Sequence, residues 1–181
     1  MLEIENAALA VIDIQGKLAE KVHDNEKVLM HIKYFIKAAK SFSLPILWSE
    51  QAPDKIGETV ASVKDLLAPQ VKAIHKRSFS CYGCPEYVDH LRSLKKRQIL
   101  VTGIETHVCV YQTVRDLHAH GYEVYLIADA VSSRHEFDHR MAIARMRDEG
   151  IIITTTEMVM CELLKSADHP KFKEVIVHLK R

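Results

Sequence analysis

Three reactive side chains stand where a chain of this pattern brings strand ends together. Cys109 lies in VTGIETHVCVYQTVRDL, straight after an apolar run that reads as a strand. If Thr106 caps the next helix, Cys109 falls in its first turn, where backbone N–H groups lack intrahelical partners and the dipole favours negative charge. Both effects favour a thiolate and a neighbouring oxyanion; the plain alternative is a small buried hydrophobe on the inner helix face. Asp13 interrupts the apolar strand AVIDIQG, where a carboxylate serves either as a base or as a turn residue at the strand exit. Lys76, beside Arg77 in HKRSFSCYGCPEY, follows another strand and taken alone is a solvated charge. That stretch also holds Cys81 and Cys84 in C-x-x-C spacing ahead of Pro85, a pattern used by redox couples and by half-sites for metals.

The elements that must position these residues are legible. Short β-branched runs alternate with longer segments of helical period, which predicts an α/β domain with a parallel sheet. The strands read as Ala7 to Ile14, Leu44 to Ser49, Val71 to His75, Gln98 to Gly103, Glu123 to Ala128 and Ile151 to Thr154. Several are apolar on both faces, as parallel strands covered by helices must be. Asp24 or Asn25 can cap a helix with Val28, Ile32, Phe35 and Ala39 on one face. Pro85 suits a first helical turn, and Gly121 and Gly150 suit helix ends. The tail from His169 reads as an amphipathic helix with Phe172, Val175, Ile176 and Leu179 on one side. Ser49 to Lys64 and Ala130 to Asp138 are polar loops after strands two and five, and at the carboxyl ends of a doubly wound sheet such loops supply substrate contacts. In the common 3-2-1-4-5-6 order, strands one and four are neighbours, so Asp13 and Cys109 flank one crevice. Strand three lies about 10 Å from strand one, a gap that a lysine can cross.

Bulk properties narrow the function. The 181 residues, without repeat or linker, predict one domain spanning residues 1–181. With 25 Lys and Arg against 24 Asp and Glu the net charge is +1, which gives no field for nucleic acid or an acidic membrane, so a small-molecule partner is expected. The N-terminus has no signal-peptide pattern and no stretch is long and apolar enough for a membrane span, so a soluble cytoplasmic protein with reduced thiols is expected.

VIDIQ, HKRSFSCY and TGIETHVCVYQTVRDLHAHGYEVYLIADAVSSR together resemble the isochorismatase-like cysteine hydrolase superfamily, from about Ala7 to Glu162. Gly103, Thr106, Cys109 and Val110 match its most specific element, G-x-x-T-x-x-C-V. The resemblance implies a three-layer α/β/α fold with a six-stranded parallel sheet in Rossmann-like order 3-2-1-4-5-6. It implies an Asp13, Lys76, Cys109 triad, a cis peptide between Ile104 and Glu105, and an oxyanion hole from the backbone amides of Glu105 and Cys109. It also implies hydrolysis of a small amide, carbamoyl or related substrate, and a dimer or larger homo-oligomer. Glu50, Gln51, Phe79, Tyr82 and His135 are the substrate-contact candidates, whereas His107 points elsewhere on the helix. Nicotinamidases in this superfamily bind a metal through D-x-H after strand two, but this chain has WSEQAPDKIGET there and no histidine between His31 and His75, so no metal and no cofactor are expected. Isochorismatase itself requires donors for two carboxylates, for which Lys55, Arg77 and Arg134 are the available cations.

Two readings of other classes compete. Cys81 and Cys84 can form a thiol-disulfide oxidoreductase pair, against which stands the lack of any proline between Pro85 and Pro170 to oppose the motif. A catalytically silent oligomeric scaffold has no use for Asp13, Lys76 and Cys109 in combination.

Overall fold

The computed structural model describes residues 1–68 and 70–177 of the chain. Six parallel strands form one sheet in the order β3-β2-β1-β4-β5-β6: β1 Ala7–Ile12, β2 Ile46–Gln51, β3 Ile74–Lys76, β4 Gln98–Ile104, β5 Glu123–Ser132 and β6 Ile152–Thr154. Every residue of β1 and β4 is buried, because helices cover both faces of the sheet.

One face packs on α1 (Gly16–Lys21), α2 (Asn25–Ser41), α4 (Ala61–Leu67), α8 (Thr156–Leu164) and α9 (Phe172–Ile176), around Leu9, Val11, Ile32, Phe35, Ile36, Trp48 and Leu163. The other packs on α5 (Pro85–Ser93), α6 (Tyr111–Ala119) and α7 (Glu136–Asp148), around Ile12, Leu47, Tyr87, Ile99, Val101 and Val114. A short α3, Pro53–Ile56, sits in the connection from β2 to α4.

The departures from the expected elements have local causes. The first strand stops at Ile12, because Asp13 takes a left-handed φ of 51°. The third strand is only Ile74–Lys76, so Lys76 belongs to it rather than following it. The fifth runs to Ser132, past a register shift against β4 between Val101 and Gly103, which reduces the expected loop of Ala130 to Asp138 to Ser133–His135. Asp24 precedes α2 but makes no side-chain cap bond, whereas Pro85 does occupy the first turn of α5. Leu179 of the expected last helix lies outside the described residues. Gly103, at φ 138°, lets β4 approach β1 closely: a Cβ there would run into the carbonyl oxygen of Ile12.

Candidate active site

β1 and β4 pair from Ala7↔Gln98 to Ile12↔Gly103, so the residues beyond their carboxyl ends emerge side by side. Asp13 leaves β1 there, and the chain after β4 turns through Glu105 into a π-helical turn, Thr106–Val110, that carries Cys109. The peptide bond between Ile104 and Glu105 is cis.

Lys76 reaches across β2 to Asp13. Its Nζ lies 2.6 Å from Asp13 Oδ2, and it also donates towards Gln51 Oε1 (2.8 Å), the Phe79 carbonyl (2.9 Å) and the Ser78 carbonyl (3.2 Å). Its side chain is fully buried, so the solvated charge of the bland reading is not what folds. Burial works against the ammonium, but the carboxylate of Asp13 reverses this and holds Lys76 above the ordinary lysine value. Asp13 Oδ1 accepts from Ser49 Oγ at 2.7 Å.

Cys109, in a residue 7% exposed, lies close enough to Asp13 and Lys76 for both charges to act on its thiol. Burial pushes this thiol up, the negative charge of Asp13 pushes it further, and Lys76 opposes only part of the rise. The surroundings of Cys109 thus work against the thiolate expected at a helix start, and Thr106 does not cap: its Oγ1 pairs with His139 Nδ1 at 3.0 Å. His107 is turned away from the site, with Nδ1 2.9 Å from Ser133 Oγ. Glu105 is buried, and its Oε1 accepts from the backbone N–H and Nε of Arg134 at 2.9 and 3.0 Å.

The substrate-contact candidates separate. Gln51 lies in the cluster as a partner of Lys76, with its own amide donating to the Arg77 carbonyl. Glu50 is buried and tied to the Thr59 amide (2.7 Å) and His75 Nε2 (3.3 Å), so it holds the segment after β2 rather than an open pocket. Phe79 is 54% exposed, with its carbonyl on Lys76. Tyr82 stacks on His120 with ring centroids 4.0 Å apart. His135 is exposed at the start of α7 and makes no side-chain cap bond. Two of the three cations considered for a dicarboxylate are already engaged, Arg77 with Asp54 at 2.8 Å and Arg134 with Glu105. Among the described residues no group of three or more His, Cys, Asp or Glu is placed to hold a metal ion.

Cys81 and Cys84 are free thiols. Cys81 is fully buried with Sγ 3.4 Å from Ser49 Oγ, and burial pushes it up to about 12, the reverse of what a redox-active thiol needs. Ser49 and Cys81 are the site neighbours that sequence reasoning missed. The available signal was a lone hydroxyl closing the apolar run ILW on the strand beside β1.

A family model for the Isochorismatase domain matches residues 7–158. Isochorismatase family protein 1A of Dictyostelium discoideum is 38% identical, over 97% of this chain and 86% of that protein. Among solved structures, the MAR1 ribonuclease from Caenorhabditis elegans matches with a TM-score of 0.92 at 36% identity, covering 98% of this chain and 91% of that one. The Escherichia coli YcaC gene product, described as an octameric hydrolase of unknown specificity, matches with a TM-score of 0.91 and equal coverage of this chain, 98%, and 89% of its own. At 23% identity that last likeness concerns the fold alone.

Proposed function

The chain belongs to the isochorismatase family, and from that premise we propose that residues 1–181 form one cysteine-dependent hydrolase unit acting on a small amide, carbamoyl or related substrate. The observation that carries this reading is the buried Asp13–Lys76 pair, joined at 2.6 Å, whose charges both act on the neighbouring Cys109 thiol.

Asp13 accepts the Cys109 proton as sulfur attacks the substrate carbonyl carbon, so no standing thiolate is needed. Lys76 stays charged throughout and keeps the carboxylate oriented. The backbone amides of Glu105 and Cys109 hold the tetrahedral oxyanion. Protonated Asp13 then gives its proton to the leaving nitrogen, and the carbon–nitrogen bond breaks to leave a thioester on Cys109. Asp13, ionised again, takes a proton from water, whose oxygen attacks the thioester; the acid departs and the proton returns to sulfur. Phe79 and Gln51 are the proposed substrate contacts, Phe79 as an exposed apolar wall beside Lys76.

A cytoplasmic, homo-oligomeric protein is part of the proposal. It is supported by the absence among the described residues of a helix long and apolar enough to cross a membrane, and by the octameric fold neighbour. The ribonuclease name of the nematode neighbour does not extend naturally to this chain, whose net charge of +1 offers no field for a polyphosphate.

Treatment with iodoacetamide followed by peptide mass spectrometry is expected to label Cys109 ahead of Cys81, Cys84 and Cys161. Screening against small amides, carbamates and an RNA control is expected to find amide or carbamoyl hydrolysis that Cys109→Ala abolishes. Preferential labelling elsewhere, or activity that survives Cys109→Ala, refutes the assignment.

A further inference from the structure

Asp13 has two oxygens, and the proposed chemistry uses one face of them. Oδ2 is held by Lys76, whereas Oδ1 is held by Ser49 Oγ at 2.7 Å. An ionised carboxylate only accepts, so the Ser49 hydroxyl must donate there. Its oxygen in turn faces Cys81 Sγ at 3.4 Å, and a thiol can donate to it. Neither partner is free to wander. Ser49 is fully buried on β2, paired in register with Ile12 of β1. Cys81 is fully buried, and its backbone N–H is fixed by Thr113 Oγ1 of α6 at 2.9 Å. The hydrogen bonds therefore run in one direction, from Cys81 to Ser49 to Asp13.

Resting on the hydrolase reading above, we propose that Ser49 is the positioning residue of the base, its hydroxyl turned by the Cys81 thiol so that the Asp13 carboxylate stays aimed at Cys109. This assigns a use to the first cysteine of the C-x-x-C pair, which is neither redox nor metal chemistry. Cys81 is suited to it because burial keeps its proton on sulfur, up to about 12, so it remains a donor across any working pH.

The groups facing Asp13 come from five elements. They are Ser49 from β2, Lys76 from β3, Cys81 from the 3-10 turn Cys81–Gly83, Tyr87 from α5, and Cys109 from the π turn. The Tyr87 hydroxyl is buried and has no hydrogen-bond partner among the described residues, and burial holds it well above the ordinary tyrosine value, so it stays neutral. Only Lys76 brings opposite charge. Replacing Ser49 with alanine leaves every one of these charges in place and adds none, so a change in titration there reads the lost hydrogen bond.

The test is the rate of Cys109 alkylation by iodoacetamide against pH, located by peptide mass spectrometry, which needs no knowledge of the substrate. Its acid limb reports the pH at which the Asp13–Cys109 pair takes up a proton. A donor to the ionised form favours that form, so Ser49→Ala is expected to move the midpoint of this limb upward by about one pH unit. Ser49→Cys, close in volume but a poor donor, moves it in the same direction and serves if the alanine variant does not fold. Ser49→Thr keeps the hydroxyl and restores the parent midpoint. Cys81→Ala gives a smaller shift of the same sign, and no shift there removes Cys81 from the arrangement. An unmoved midpoint in both Ser49→Ala and Ser49→Cys, including a rate lowered uniformly at all pH values, makes Ser49 a packing residue and overturns the proposal. If the parent itself has no acid limb, or keeps it in Asp13→Asn, the base assignment fails first and takes this proposal with it.

Discussion

Lys76 spans two strand spacings to reach a single carboxylate, and its side chain is fully buried when it arrives. A buried ion pair contributes little net stability against a well-packed apolar pair, but removing one partner leaves an uncompensated charge. Lys76→Met is therefore expected to destabilise the chain by about 3–5 kcal/mol in urea unfolding. Adding Asp13→Asn to Lys76→Met is expected to recover part of that loss, because no charge is then stranded. A double variant no more stable than Lys76→Met alone shows that the loss comes from packing instead. Asp13, Lys76 and Cys109 were legible because each is a reactive type at a strand end, and topology does the rest. Ser49 was not legible, since a serine closing a strand carries no pattern until its neighbour across the sheet is known.

The turn that carries Cys109 is held from the β5–α7 connection and the first turn of α7, one residue at a time. Glu105 is tied to Arg134, Thr106 to His139 and His107 to Ser133, so a segment about thirty residues further along the chain fixes the geometry of Cys109. Arg134→Ala is expected to lower stability by only about 1 kcal/mol, because its side chain is half exposed and its backbone N–H still reaches Glu105. The same change is expected to slow Cys109 alkylation several-fold, since a nucleophile on a loosened turn is less well aimed. Equal stability and unchanged alkylation in Arg134→Ala would mean that the contact is incidental. These contacts explain where sequence reasoning failed at this scale. Thr106 carries a strong local signal for a helix cap, but a partner 33 residues away takes its hydroxyl, and the turn opens into a π form. AVSS reads as loop, yet its register against β4 extends β5 through its first three residues, to Ser132. The buried parallel strands, by contrast, announced themselves as apolar runs because both of their faces are covered.

Across the whole molecule, the protonation state of the buried site ties stability to alkaline pH. Burial pushes Cys81 up to about 12, and burial together with the charge of Asp13 raises Cys109 as well, whereas in the unfolded chain both thiols ionise near the ordinary value of 9.0. Below that pH the folded and unfolded chains both hold these protons, and the two groups leave stability unchanged. Above it the unfolded chain has released protons that the folded chain still binds, so the free energy of unfolding falls as pH rises. Each thiol approaches a slope of about 1.4 kcal/mol per pH unit once the unfolded chain has ionised, so the pair removes roughly 3 kcal/mol between pH 9 and 10.5. Lys76, also raised, adds a loss of the same sign above its ordinary value of 10.5. Against a domain stability of about 5–15 kcal/mol, that brings unfolding within reach of mild base. Urea titrations under reducing conditions from pH 8 to 10.5 are expected to show this decline, and Cys81→Ala to remove about half of its thiol part. A flat profile over that range would mean that the thiols are hydrated in the folded chain. The dry, proton-holding pocket would then be lost as support for the proposal that Cys109 waits as a thiol until Asp13 takes its proton.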